Sequence, residues 1–250
     1  MKRSFVRTLW GDLLPKWKKM TSADKKKLHI YKVRRMKMEH DIDRALKLPH
    51  QVDFVTYVFG ESNYKKIVKL GLKAVLVDKN PVLYERDYYK HKLDALYAAM
   101  QDFDEIVYLD WDTKPKKHVD DGIWEELNKK ASFQASLWAY KTPKINHREK
   151  KIDNRFSPAG GFVYIRDKAI PKRLLELWEV APNSWSEEPA FSMLTDEMIG
   201  GWQGLKKYWE TFEPECYKTR SSPYTGSRHK EFHKDPDKIY FTNRGDPWRF

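Results

Sequence analysis

The run Ile106-Val107-Tyr108-Leu109-Asp110-Trp111-Asp112-Thr113 constrains this chain more than any other stretch. Four apolar residues lead without a break into two carboxylates one residue apart. An uninterrupted apolar run of this length predicts a strand buried on both faces of a mostly parallel sheet. In open α/β sheets, ligands collect at the carboxyl ends of such strands. Asp110 and Asp112 then stand where a buried strand meets solvent. As the chain leaves the strand, side chains at i and i+2 can converge on one hard cation, which prefers oxygen ligands. That geometry suits a metal carrying a diphosphate. Many Asp-x-Asp triplets are no more than solvated turn carboxylates, so the surroundings have to decide.

The surroundings form an ordered series. Phe5-Val6-Arg7-Thr8-Leu9-Trp10-Gly11 reads as a first strand closed by a glycine turn. Residues 52–59 read as a second strand closed by Gly60, and Lys73 to Asp78 as a third. Between them lies a helix that Ser62 or Asn63 can start and Gly71 can stop. Strand, helix and strand in so short a span make the βαβ unit of a parallel sheet. A helix with Lys92 near its start and Leu93, Leu96, Tyr97 and Met100 on one face feeds the Asp110/Asp112 strand. Asp120-Asp121 can cap a short helix carrying Ile123, Trp124 and Leu127. Residues 131–140 read as a further strand and residues 141–155, polar and without period, as a loop.

Gly160-Gly161 then precede a hydrophobic strand, where glycine lets backbone approach a ligand or another strand closely. Pro171 opens a helix, and Ser186-Glu187-Glu188-Pro189 begins another that Gly200-Gly201 ends. From Lys218 onward the chain is polar, aromatic and turn-rich. The expected division is a single α/β domain over residues 1–217, with an arm at 218–250 packing on or near the active site.

The net charge of +12 over 250 residues favours anionic partners: nucleotides, polyphosphates, nucleic acid or an anionic membrane surface. Its densest source, residues 16–47, reads as one or two surface helices that are either solvated or meet such a partner. The one cysteine, Cys216, excludes an internal disulfide and suits a reducing compartment. The basic start has no apolar run of signal-peptide length, and nothing approaches the ~20 apolar residues needed to span a bilayer. The expectation is a soluble, cytoplasmic protein with no transmembrane segment, for which peripheral contact with an anionic surface stays open.

Taken together, Lys92, the Tyr-Leu-Asp-Trp-Asp-Thr run and the stretch from Phe156 to Asp167 resemble the GT-A fold glycosyltransferases that use nucleotide sugars. The likeness is to the small glycogenin-like and bacterial or viral polysaccharide-type enzymes and covers most of residues 4 to 200. It implies a Rossmann-like, mixed, mostly parallel sheet flanked by helices. It also implies a nucleotide-sugar donor, UDP-linked by preference, a glycan or glycoprotein acceptor, and Mn2+ or Mg2+. Asp110 and Asp112 would hold the metal, Asp112 directly and Asp110 nearer the ribose and donor sugar. Lys92 would add positive charge to the leaving group. Thr8, Trp10 and Gly11 would line the nucleobase pocket, Trp111 would belong to the donor site, and Gly160 and Gly161 would set backbone against donor sugar or acceptor. A C-terminal histidine often supplies a third metal ligand in this family. Here His233 or His229 is the nearest candidate, and Asp246-Pro247-Trp248 echoes the family's ending only in part. Glu187 or Glu188 would face the acceptor as a general base if the enzyme inverts, with Asp196 and Glu197 in reserve.

Two other readings stay open at this point. Haloacid-dehalogenase-type phosphatases also place Asp-x-Asp after a strand, with the first Asp as nucleophile. They carry Thr or Val two places beyond the second Asp, where this chain has Lys114. A basic module that binds nucleic acid fits the charge and the interleaved aromatics, but no zinc spacing or RNA-recognition signature accompanies them, and nucleic acid is not the expected partner.

Overall fold

Residues 1–10, 42–48, 52–80, 89–145, 152–181, 187–218 and 234–243 are described by a computed structural model. Four strands, β1 (Arg3–Leu9), β2 (Phe54–Phe59), β3 (Lys73–Asp78) and β4 (Glu105–Leu109), lie parallel. Two more, β6 (Phe133–Ile145) and β7 (Ile152–Ile165), complete the main sheet in the order β3-β2-β1-β4-β7-β6. β7 runs antiparallel to both of its neighbours. All five residues of β4 are buried, as the unbroken apolar run requires of a strand covered on both faces. The fold class read from the sequence, a Rossmann-like, mixed and mostly parallel sheet flanked by helices, is the one the structure has.

Helices α1 (Glu61–Lys69), α2 (Lys90–Asp102) and α3 (Gly122–Asn128) are joined by α4 (Ala169–Val180), α5 (Glu188–Ile199) and α6 (Leu205–Phe212). One core joins α2, α4, α5 and α6 to the sheet face that carries Val6, Tyr57, Ile106, Tyr108 and Val163. The opposite face packs Val107, Leu109, Phe162 and Tyr164 under Trp124 of α3 and under Tyr217 and Phe241. Adjacent strand residues point to opposite faces, so these two cores follow directly from the period of two along β4 and β7. Among the described residues, no helix is long and apolar enough to cross a membrane.

Several local expectations need correction. Tyr97, expected on the buried face of α2, is 40% exposed, and the buried stripe runs through Leu93, Ala95, Leu96, Ala99 and Met100 instead. Gly160 and Gly161 lie inside β7, not ahead of it. Much of the polar stretch read as a loop at 141–155 is hairpin, with Lys144 opposite Asn154 and Ile145 opposite Ile152. Ladder hydrogen bonds belong to the backbone, so polar side chains do not prevent a strand. At α3 the N-cap is Asp121, which makes no side-chain cap hydrogen bond, while Asp120 Oδ1 accepts the Gly122 N–H at 3.0 Å and the Tyr240 hydroxyl at 2.8 Å. The strands β5 (Thr113–Pro115), β8 (Tyr217–Lys218) and β9 (Phe241–Asn243) form a second, small sheet ordered β5-β9-β8. β9 pairs antiparallel with β5, directly after Asp112, so this part of the C-terminal arm lies beside the acid pair.

Candidate active site

β4 delivers Asp110 to the carboxyl edge of the sheet, and a tight turn follows it. The Thr113 N–H bonds back to the Asp110 carbonyl at 3.0 Å, so Asp110 and Asp112 occupy one reverse turn. The Asp110 N–H in turn bonds to the Gly161 carbonyl at 3.1 Å, tying the turn to β7. Tyr108 stands two residues earlier on the same strand face. Its hydroxyl donates to Asp110 Oδ1 at 2.8 Å. That arrangement orients one carboxylate oxygen from inside the fold, as a partner behind a ligand does.

Lys92 reaches the same oxygen from α2. Its Nζ lies 3.3 Å from Asp110 Oδ1, 2.5 Å from Glu187 Oε1 and 3.1 Å from the Gly160 carbonyl. The Lys92 side chain is 5% exposed and that of Glu187 is 4% exposed. Burial works against the ammonium, but the Asp110 and Glu187 carboxylates outweigh it and hold Lys92 charged well above the usual lysine range. The structure thus joins two residues that the sequence left separate. Lys92 is a buried cation between two acids, and Glu187 is its counterion at the residue preceding α5.

The glycines make room for this arrangement. β6 and β7 lose register between Ala135↔Val163 and Ser136↔Ala159, which leaves Gly160, Gly161 and Phe162 in a bulge. A Cβ on Gly160 would lie 1.7 Å from Glu187 Oε1 and 2.7 Å from Lys92 Nζ. A Cβ on Gly161 would meet the Tyr217 hydroxyl at 3.2 Å and Asp110 Oδ2 at 3.7 Å, with Asn243 Nδ2 at 4.0 Å. Gly160→Ala is therefore expected to prise the Lys92–Glu187 pair apart and cost about 1–3 kcal/mol, the usual penalty of overpacking. Urea denaturation of that variant beside Gly161→Ala, expected to be the milder of the two, checks the assignment.

Asp112 is half-buried on the turn. The buried Tyr217 phenol is pushed well above its ordinary value, first by burial and then by the negative field of Asp112. Among the described residues no group of three His, Cys, Asp or Glu side chains converges as a preformed metal cage. Two carboxylates are nonetheless a fitting donor set for Mg2+ or Mn2+, since such ions commonly take one or two protein carboxylates and complete their shell with substrate phosphates. The donor chemistry fits.

The other expected site residues have definite places. The Thr8 hydroxyl is buried and donates to the Tyr57 carbonyl at 2.9 Å. The Trp111 indole N–H donates to the Thr8 carbonyl at 2.9 Å, and its ring packs with Leu9, Val58 and Ile67. Trp10 is half-buried, edge-on to Tyr89 with 6.5 Å between ring centroids. Glu188, half-buried, is the first residue of α5, and Asp196 two turns on accepts the Tyr208 hydroxyl. Glu197 is bound by Arg173 at 2.6 and 2.9 Å. Gly11, His229, His233 and the Asp246-Pro247-Trp248 ending lie outside the described residues. Sequence reasoning gave no role to Tyr108, Tyr217 or Asn243. Only Tyr108 had a signal, its position two residues before Asp110 on the same strand face.

Compared by sequence, the chain matches no family profile and no curated protein. Compared by structure, it is similar to the galactosyltransferase LgtC in complex with donor and acceptor sugar analogues, at 12% identity and a TM-score of 0.48, over 97% of this chain and 87% of that one. It is also similar to mouse xyloside xylosyltransferase 1 in its apo form, at 11% identity and a TM-score of 0.44, over 98% of each chain. Both of these solved structures are glycosyltransferases, and the likeness is one of chain path.

Proposed function

We propose that this protein is a metal-dependent glycosyltransferase that moves a sugar from a nucleoside diphosphate sugar to a hydroxyl of a glycan or glycoprotein, with UDP-sugars the favoured donors. One observation carries the reading: Asp110, Asp112, Lys92 and Glu187 gather with the β7 glycine bulge at the carboxyl end of β4. In the reaction, the bond from the anomeric carbon to the diphosphate oxygen breaks. The acceptor oxygen bonds to that carbon and gives up its proton. A divalent ion held by Asp110 and Asp112 would supply Lewis-acid neutralisation of the departing diphosphate. Tyr108 and Lys92 fix Asp110 through Oδ1, and Oδ2 lies on the Gly161 side. Lys92 adds a permanent positive charge beside the leaving group, and Glu187 holds it in place. Glu188, half-buried at the first position of α5 and next to Glu187, is the acid we assign to the acceptor side.

The test is a thermal-shift panel of UDP-, GDP- and other nucleotide sugars, with manganese and with chelator. One class of donor should raise the Tm only when metal is present, as ligand linkage requires. Asp112→Ala should stay folded, lose that shift and slow transfer by roughly a hundredfold, in keeping with the several kcal/mol that metal charge contributes. Transfer at full rate by that variant would remove the assignment.

A further inference from the structure

A second polar feature lies on the other face of the sheet. Val6 faces the Lys92 side, so its neighbour Arg7 points the opposite way. There a cavity of about 140 Å³ is lined by Arg7, Phe54, Thr56, Leu72 and Trp111, with the exposed ion pair of Asp53 and Lys73 on its rim. Arg7 is 7% exposed, and its guanidinium carbon lies 3.7 Å from the centroid of the Phe54 ring and 4.7 Å from that of Trp111. Its Nε is fully buried and makes no hydrogen bond among the described residues.

This is an unusual setting for a guanidinium. The group has five N–H donors and no acceptor, and its preferred partner is an oxyanion in its own plane, gripped by two parallel hydrogen bonds. Aromatic rings satisfy the faces of the ion, not its edge. Burial pushes Arg7 down to about 9, against the more favourable fields of Tyr108, Asp110 and Asp112. A buried cation of this kind costs stability unless an anion completes it. Thr56, 1% exposed on the neighbouring strand and paired in register with Arg7, offers a hydroxyl on the same face. Ala45, Leu46, Val52 and Leu72 add apolar wall beside the Asp53–Lys73 pair.

We propose that this cavity binds a small oxyanion, a carboxylate or inorganic phosphate, on the edge of the Arg7 guanidinium. The size of the space admits such an ion with at most a short apolar body. The site lies on the sheet face opposite Lys92, next to Trp111, and does not rest on the glycosyltransferase reading.

The experiment measures the Tm of the full chain in phosphate and in acetate, each balanced with chloride to constant ionic strength. Chelator is present throughout, so that no metal at the acid pair can recruit phosphate. The wild type should show a saturable rise of several degrees with at least one of the two anions. Arg7→Met should show none, and in chloride alone it should be at least as stable as the wild type, because it removes a buried charge whose Nε makes no hydrogen bond among the described residues. Arg7→Lys guards against a misfolded methionine variant: it keeps the charge, loses the planar fork, and should weaken the response roughly tenfold. A response to phosphate alone, or to acetate alone, supports the site and identifies the anion it takes. No response in the wild type, or an equal response in the Arg7 variants, overturns it.

Discussion

Lys92→Met is expected to destabilise the protein by about 3–5 kcal/mol, because breaking a buried ion pair by removing one partner strands the other charge in the interior. The stranded group is Glu187, 3% exposed, with Asp110 half a step nearer solvent. Double substitution distinguishes a true pair from two separate contributions. In Lys92→Met combined with Glu187→Gln, most of the loss should return, since neither charge is then left alone in a poorly solvated place. Urea denaturation of the four members of the cycle gives the coupling directly, and additive losses would show that the two residues act separately. The pH dependence has a defined sign. The folded-state pKa of Lys92 is raised above the ordinary 10.5, so its contribution is fully present below that value and fades only as pH rises through the higher folded-state one. The stability gap between wild type and the single variant should therefore persist across the neutral range.

The parts of this fold that were legible in the sequence are those where burial writes a period. β3 was bounded at Lys73 and Asp78 as observed, because an apolar run is flanked there by Gly71 and Asn80-Pro81. β4 was recognised because a strand buried on both faces leaves an unbroken apolar run. β5, β8 and β9 have two or three residues each, too few for any period to register. α6 did carry a signal, with Tyr208, Trp209 and Phe212 at helical spacing after Gly204, and it was passed over. In the site, Asp110 and Asp112 were found because the motif is local. The pairing of Lys92 with Glu187 was not, because the two are 95 residues apart and meet only through the packing of α2, α5 and β7. Arg7 sits in an alternating strand where a polar residue normally faces water, and among the described residues the Phe54 and Trp111 rings cover its guanidinium.

Lys234→Met should cost a further kind of stability, again about 3–5 kcal/mol, and should couple the C-terminal arm to the acid pair. Glu213 is 3% exposed; its carboxylate accepts the Leu137 N–H at 2.5 Å and is ion-paired with Lys234. The same ammonium donates to the carbonyls of Pro214, at 2.6 Å, and Tyr217. One lysine therefore fixes the base of β8 and the chain that returns as β9 beside β5. Burial raises the Glu213 carboxyl above its usual range, and Lys234 is the first of the groups that pull it back down. Without Lys234 the folded-state pKa rises further. A carboxyl raised in the folded state binds more protons there than in the unfolded chain, so stability increases as pH falls through that value toward the unfolded one. The deficit of Lys234→Met should thus shrink between pH 8 and about pH 5, and Glu213→Gln in the same chain should relieve most of it at neutral pH. Urea titrations at both pH values test this, and a deficit that is small or indifferent to pH would show that the pair does not hold the arm. Asn243, which the arm brings up to Gly161, and Tyr217, the residue from which the arm departs, depend on the same anchor. Under conditions where Lys234→Met is still folded, its metal-dependent response to nucleotide sugars should weaken with the arm, while a response that stays at wild-type strength would place the arm outside the working site.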